Sequence, residues 1–180
     1  MARGHVNLGL HTVKALVVLD SEGKRMLSKY YSQDYPSIKE QKAFEKALFE
    51  KTKTSNCEII MFDGHVVVFK NSIDVFIYVV GSPDENELIL MSVMQAYYDA
   101  LGLLLKTQVE KRAMNENLDV ALLALDETID DGIILESDPT QISSRVTRRS
   151  DEAQNIPLAE QTISQALQSA RDQLTRTLLK

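Results

Sequence analysis

Carboxylates are concentrated in one short segment, DETIDDGIILESDP at residues 126–139. Six of its fourteen residues are Asp or Glu. Carboxylate oxygens are the ligands that Ca²⁺ prefers, so the segment is compared with the calcium-loop pattern D-x-[DN]-x-[DN]-G-x₅-E. If Gly132 is the loop glycine, Glu127 takes position 1, Ile129 position 3 and Asp138 position 12. Isoleucine has no side-chain ligand, so the pattern argues against a calcium site.

A helix end is the other interpretation of this segment. Gly132 is placed to end a helix predicted over residues 109–130, and Asp138-Pro139 gives the next helix an N-cap and a first-turn proline. We therefore predict a turn and cap region and not an ion site. Because the helix dipole disfavours acidic side chains at a C-terminus, a contact with a partner protein also remains open.

Other residues that could do chemistry lack the necessary spacing. His5, His11, His65 and the single Cys57 show no metal-ligand spacing. The sequence has no G-x-S-x-G motif, no phosphate-binding loop and no Ser/His/Asp arrangement of note. We predict no catalytic residue, no metal site and no cofactor, and we do not expect an enzyme.

Composition narrows the class of protein further. A net charge of −6, without a long Lys/Arg run, argues against nucleic-acid binding. One cysteine cannot form a disulfide framework, which favours a reducing compartment. The N-terminus lacks the long apolar core of a secretory signal. The apolar stretch 88–105 is interrupted by Gln95 and Asp99, so we predict a buried helix there and not a membrane span.

The elements that must position any site begin with five strands. We predict them at residues 12–20, 24–31, 58–62, 65–70 and 75–81. Asp63-Gly64 alone separates the third strand from the fourth, which predicts a type I′ hairpin because Gly tolerates positive φ. Asn71-Ser72 predicts the next turn.

Three helices accompany these strands. Ser37 and Glu40 form a capping-box signature for a helix at 37–53, and Ser82-Pro83 predicts the start of the second helix. Helical spacing predicts the inward-facing residues, which are Ala43, Phe44, Ala47 and Leu48 in the first helix, Ile89, Leu90, Val93, Met94, Ala96, Tyr97, Ala100, Leu101, Leu103 and Leu104 in the second, and Leu118, Ala121, Leu122, Leu125 and Ile129 in the third.

The order β-β-α-β-β-β-α-α predicts an α+β domain, with a five-stranded antiparallel sheet flanked by helices. We place this domain at residues 1–139 and a helical C-terminal extension at 140–180. The extension carries a predicted amphipathic helix at 157–180, and its apolar stripe includes Ile163, Leu167 and Leu174.

Two sets of residues are candidates for binding a partner protein. Tyr30, Tyr31 and Tyr35 cluster in KYYSQDYP, where they either pack under the first helix or make a protein contact, since Tyr suits interfaces. The C-terminal stripe at Ile163, Leu167 and Leu174 must dock on its own domain, on a partner or on a membrane surface, because an isolated amphipathic helix of this length is marginal in water. Four acidic residues from position 151 onward disfavour the membrane.

Several segments resemble the zeta-subunit family of coatomer, a branch of the adaptor small subunits. They are TVKALVVLD (12–20), KYYSQDYPSIKEQKAFEK (29–46), SIDVFIYVVGSPDENELILM (72–91), VEKRAMNEN (109–117), DETIDDGIILESDP (126–139) and PLAEQTISQALQSA (157–170). The resemblance covers nearly the whole chain from about residue 12. It implies a longin-like fold, which agrees with the element order obtained above.

The resemblance also implies a function. It implies a non-catalytic coat subunit that pairs with the coatomer gamma trunk and assembles with the other coatomer subunits. Arf GTPase would act indirectly, by recruiting the coat to Golgi membranes and COPI vesicles for Golgi-to-ER and intra-Golgi transport. Two alternatives are a sigma-like clathrin adaptor subunit and a longin-type regulator of a small GTPase, because fold alone does not fix function.

Overall fold

The computed structural model describes residues 11–55 and 57–154. Its main elements follow the predicted order, and the predicted α+β fold is confirmed. The strands of the main sheet are β1 (Val13–Asp20), β2 (Arg25–Tyr30), β3 (Ile59–Phe62), β4 (His65–Ser72) and β5 (Val75–Gly81). They pair antiparallel in the order β2-β1-β5-β4-β3, so β2 and β3 are the edges.

Two tight hairpins connect the last three strands of this sheet. Asp63 and Gly64 both have positive φ, 49° and 74°, as a type I′ turn requires, and this predicted hairpin is confirmed. The second turn was predicted at Asn71-Ser72, which is wrong. Strand pairing continues to Ser72 opposite Val75, so the turn consists of Ile73 and Asp74. Ile73 has φ 48°, a strained value for a β-branched residue.

One helix covers one face of the sheet. Helix α1 (Ile38–Thr52) begins with the predicted capping box, in which Ser37 Oγ accepts from the Glu40 N–H and the Glu40 carboxylate accepts from the Ser37 N–H. Phe44 and Leu48 are buried as predicted, whereas Ala43 and Ala47 are exposed. The core on this face also contains Ala15, Val17, Leu19, Phe49, Val67, Phe69, Tyr78 and Val80.

The remaining helices lie on the other face. They are α2 (Glu87–Leu105), α3 (Lys111–Glu116), α4 (Leu118–Thr128) and α5 (Pro139–Gln154). Helix α5 contributes only its first turns to this face. Helix α2 is long and apolar enough to cross a membrane. Seven of its side chains are nevertheless buried in the core beneath it, which is the arrangement of a core helix. They are Leu90, Val93, Met94, Ala96, Tyr97, Ala100 and Leu101.

Two predicted helix boundaries are wrong. Helix α2 begins after Asn86, whose side chain accepts from the Leu88 N–H, because Ser82 to Glu85 form a separate turn. The predicted helix at 109–130 is divided into α3 and α4 because Asn117 has a non-helical backbone (φ −132°, ψ 42°). Four residues predicted to face inward are also exposed. These are Ile89, Leu103, Leu118 and Leu122.

The chain divides into two compact units, residues 1–147 and 148–180. The predicted division fell at 139/140, the start of α5. Ile142 and Val146 on α5 are fully buried in the same core cluster as α2 and α4. The first turns of α5 thus belong to the folded domain that carries the sheet.

Candidate interaction surfaces

The three candidate tyrosines lie on different faces of the sheet. Tyr30 and Tyr35 pack with the α1 core, and their ring centroids are 6.1 Å apart. Tyr31 packs against the opposite core, where its hydroxyl donates to the Ile129 carbonyl (3.3 Å). All three are half-buried, and each hydroxyl has a partner within the domain. Tyr30 and Tyr35 therefore pack on the α1 face, whereas Tyr31 packs on the opposite face, and binding of a partner by these residues stays a prediction.

Tyr30 belongs to a buried ion-pair network. Its hydroxyl donates to Glu45 (2.9 Å), and Arg25 binds both carboxylate oxygens of Glu45 at 2.7 and 2.9 Å. Burial, followed by the negative charge and hydrogen bond of Glu45, raises the pKa of Tyr30 well above its usual range. Glu45 is 3% exposed, so this arrangement fixes β2 to α1 through a desolvated charge.

Tyr35 joins a second network around Asp34. The Tyr35 hydroxyl donates to Asp63 (2.7 Å), and His65 lies between the Asp63 carbonyl (2.8 Å) and the Asp34 carboxylate (3.2 Å). The Lys14 ammonium lies 2.7 Å from Asp34. The hydrogen bond from Lys14 is the largest cause that lowers the pKa of Asp34, and bonds from His65 and Ser32 lower it further. Burial opposes these effects, and the resulting pKa is about 2.

We expect Asp34→Asn to destabilise the protein in a pH-dependent way. A carboxylate with a lowered pKa in the folded state stabilises it above its ordinary pKa of 3.8, and this contribution disappears as the pH falls toward about 2. The variant should therefore be less stable than the parent at pH 7, and the difference should shrink between pH 4 and about pH 2. Urea unfolding across this range measures it. Asp119→Asn, at an exposed position, controls for the loss of one charge; a pH-independent difference for Asp34→Asn would contradict the account.

The acidic segment 126–139 forms a small hairpin. Helix α4 ends at Thr128, and strands β6 (Ile129–Asp130) and β7 (Ile133–Ile134) pair around a turn at Asp131 and Gly132. Both turn residues have positive φ, 46° and 77°. Gly132 was predicted to end the helix, which is wrong. It is instead a hairpin glycine, and its carbonyl accepts from the Val13 N–H (3.0 Å).

Four of the six carboxylates of this segment have structural partners. Asp126 pairs with Lys29 at 2.5 Å, and Arg145 lies between Glu136 (3.1 Å) and the buried Glu127 (3.7 Å). The Asp138 carboxylate accepts a hydrogen bond from the Thr140 N–H, so Asp138 is the N-cap of α5, as predicted. Across residues 11–55 and 57–154 we find no group of three His, Cys, Asp or Glu arranged to hold a metal ion. The segment acts as a turn, a cap and an anchor for α5.

The C-terminal candidates Ile163, Leu167 and Leu174 lie outside the described residues. Sequence reasoning also missed one exposed surface. Ile59 and Met61 are exposed on β3, and their strand was predicted correctly. β3 is exposed because it lies at the edge of the sheet. The strand order that places it there cannot be predicted from the residues of EIIMF alone.

The chain is similar in sequence to small subunits of vesicle coats. The sequence profile of the Clathrin adaptor complex small chain family matches residues 12–153. Coatomer subunit zeta-1 of Homo sapiens is 50% identical over 171 residues, covering 95% of both chains. The chain belongs to the coatomer zeta family of adaptor small chains. Zeta-family relatives extend to plants: Coatomer subunit zeta-1 of Oryza sativa subsp. japonica is 47% identical, covering 93% of this chain and 97% of the relative.

A structural match supports the fold of this zeta-family chain. A chain in "Homology model of the full-length AP-3 complex in a stretched open conformation" superposes with a TM-score of 0.63. The match covers 85% of this chain and 98% of the other, at 16% identity. At that identity the likeness concerns the fold alone.

Proposed function

We propose that the protein is a non-catalytic structural subunit of the coatomer (COPI) coat and pairs with the trunk of the coatomer gamma subunit. The observation that carries this proposal is the 50% identity to Coatomer subunit zeta-1 over 95% of the chain. Assembly with the other coatomer subunits follows from the same proposal. The protein would be cytoplasmic and peripheral on Golgi membranes and COPI vesicles, acting in Golgi-to-ER and intra-Golgi transport. Its link to Arf GTPase would be indirect, through the complex.

Exposed apolar side chains support a role as a subunit that a larger partner covers. Large apolar residues on α2 and α4 face solvent in the described domain, and they are Leu88, Ile89, Leu103, Leu118 and Leu122. Burying such residues in an interface is favourable by about 25 cal/mol per Å² of apolar area. We place the gamma contact on this helical layer. Tyr30, Tyr31 and Tyr35, with Ile163, Leu167 and Leu174 of the tail, remain further proposed contacts.

Addition of purified gamma trunk should raise the melting temperature of the full chain. A partner that binds only the folded state stabilises it by mass action, so the shift should increase with trunk concentration. Leu103→Ser and Leu122→Ser should reduce the shift, measured from each variant's own melting temperature, because these side chains are 50% and 41% exposed and their partial burial also stabilises the free chain. A Tyr30→Ala/Tyr31→Ala variant that still folds and binds gamma normally would remove these tyrosines from the interface.

Nucleotide exchange on Arf separates the regulator alternative from the coat proposal. A structural subunit should leave the exchange rate of purified Arf unchanged. Acceleration by the free chain, together with no stabilisation by gamma, would favour a longin-type regulator. Stabilisation by a clathrin adaptor large-chain trunk instead of gamma would favour a sigma-like subunit.

A further inference from the structure

The two edges of the main sheet differ in their protection. On the β2 edge, Arg25 pairs with Glu45 on one face and Lys29 pairs with Asp126 on the other, and the register is irregular at Val18/Leu19. Charges and irregularities of this kind prevent a sheet edge from pairing with another strand. The β3 edge has the sequence IIMF, without a charged residue within the strand. No charge within β3 therefore protects this edge against pairing with another strand.

The backbone of β3 is oriented to accept another strand. The Phe69 N–H donates to the Glu58 carbonyl (2.8 Å), which makes residue 58 a hydrogen-bonded position facing β4. Antiparallel pairs alternate, so residue 60 also bonds to β4, whereas Ile59 and Met61 direct their N–H and carbonyl groups outward. The side chains of Ile59 and Met61 are 40% and 56% exposed. Within the described residues, no strand pairs with this edge.

A groove adjoins the same edge on the α1 face. It has a volume of about 450 Å³, and its apolar surface is formed by Phe44, Phe62, Ala43 and Ala47. The exposed alanines of α1 and the half-buried Phe62 are accessible from solvent, whereas Phe44 is buried. A strand added to β3 would direct alternate side chains toward this groove and toward Ile59 and Met61, because strand residues alternate between faces.

Charges at the two ends of β3 decide which kind of strand fits. Glu58 precedes β3 and Asp63 follows it, and within the described residues neither is recorded in an ion pair. A second copy of β3 would bring no basic residue to these positions, because residues 57–64 contain no Lys or Arg, and it would add two further carboxylates to the edge. Like charges brought together are destabilising in a sheet. An extended segment with Lys or Arg at both ends satisfies the same positions.

We propose that β3 and the α1 groove bind an extended segment of a partner protein, antiparallel to β3, with alternating apolar side chains and a basic residue at each end. Backbone bonds to Ile59 and Met61 supply affinity, as in other cases of strand addition. The groove selects large apolar side chains on one face of the segment. Glu58 and Asp63 select the basic ends.

A short peptide tests this surface. The probe is fluorescein-labelled Ser-Lys-Leu-Thr-Val-Thr-Lys-Ser, which places its lysines opposite Asp63 and Glu58 and its Leu and Val on the groove side. Fluorescence anisotropy with the full chain should show saturable binding. Met61→Pro should weaken peptide binding about tenfold or more, because proline removes one outward N–H of β3. The hydrogen bonds between β3 and β4 do not use this N–H and are kept. Glu58→Gln/Asp63→Asn should weaken peptide binding by a similar factor, and a peptide with Glu in place of both lysines should not bind.

Matched variants make the outcome decisive. Met61→Lys is compared with Leu103→Lys, because Met61 and Leu103 have similar exposed fractions of 56% and 50%. Lysine is used at both positions since proline at Leu103 would break α2. Met61→Lys should weaken binding and Leu103→Lys should not. Absence of saturable binding to the parent chain, or equal binding by Met61→Lys, would overturn the proposal. Self-association that Met61→Lys abolishes would also overturn it, in favour of a second copy. Pairing with gamma is measured separately, so either proposal can fail alone.

Discussion

Replacing Glu45 with Ala is expected to destabilise the domain by about 3 kcal/mol, since removing one partner of a buried ion pair leaves an uncompensated charge. Glu45 is 3% exposed and accepts hydrogen bonds from Arg25 and Tyr30. Its loss leaves the Arg25 guanidinium, with a side chain only 23% exposed, next to α1 without a carboxylate. Urea unfolding of the parent and the variant measures the difference.

Glu50→Ala is the matched control for this prediction. Glu50 lies on the same helix and pairs with Lys53 at 2.6 Å, but both side chains are exposed to solvent. An exposed pair of this kind contributes about 0.5 kcal/mol or less. Equal effects of the two variants would show that Glu45 is screened by water and would contradict the network described for β2 and α1.

Gly132→Ala should cost about 3 kcal/mol, because it combines a disfavoured backbone conformation with a collision and a weakened hydrogen bond. Gly132 has φ +77°, and a Cβ atom there would lie 2.5 Å from the Val13 carbonyl oxygen. That oxygen belongs to the backbone of β1 and cannot rotate away. The collision would also disturb the bond from the Val13 N–H to the Gly132 carbonyl.

Gly64→Ala separates the two causes. Gly64 has nearly the same φ, +74°, but a Cβ atom there would meet nothing within 4 Å. Its cost should be the backbone strain alone, about 1 kcal/mol. Comparable unfolding midpoints for the two alanine variants would mean that the 131–132 turn does not press against β1, and the structural reading of the acidic segment would be wrong.

Local chemistry explains which parts of the fold were predictable from the sequence. The capping box at Ser37 and Glu40 and the hairpin at Asp63-Gly64 depend on a few adjacent residues, and both are confirmed. The errors occur where distant contacts decide the outcome. Because Ser72 pairs with Val75, the second turn lies at Ile73 and not at Asn71-Ser72. Because β6 pairs with β7 and Gly132 bonds to β1, Gly132 lies in a hairpin and does not end a helix.

The interaction surfaces were less predictable than the fold for a related reason. Periodicity predicts that a residue lies on an apolar helix face, but it does not decide whether a neighbouring element covers that part of the face. Leu103 and Leu122 follow the helical pattern and are exposed. For Tyr30 and Tyr35 the sequence left open whether they pack under the first helix or contact a partner, and both bond within the domain. The long segments shared with the zeta family carried the functional prediction.

The most direct test of the central claim is a choice between two large partners. The full chain is co-expressed with the coatomer gamma trunk and, separately, with a clathrin adaptor large-chain trunk, and each product is analysed by size-exclusion chromatography. We predict a stable one-to-one complex with gamma and none with the clathrin adaptor trunk. A complex with the clathrin adaptor trunk alone, or no complex with gamma, would contradict the proposed role in the coatomer coat.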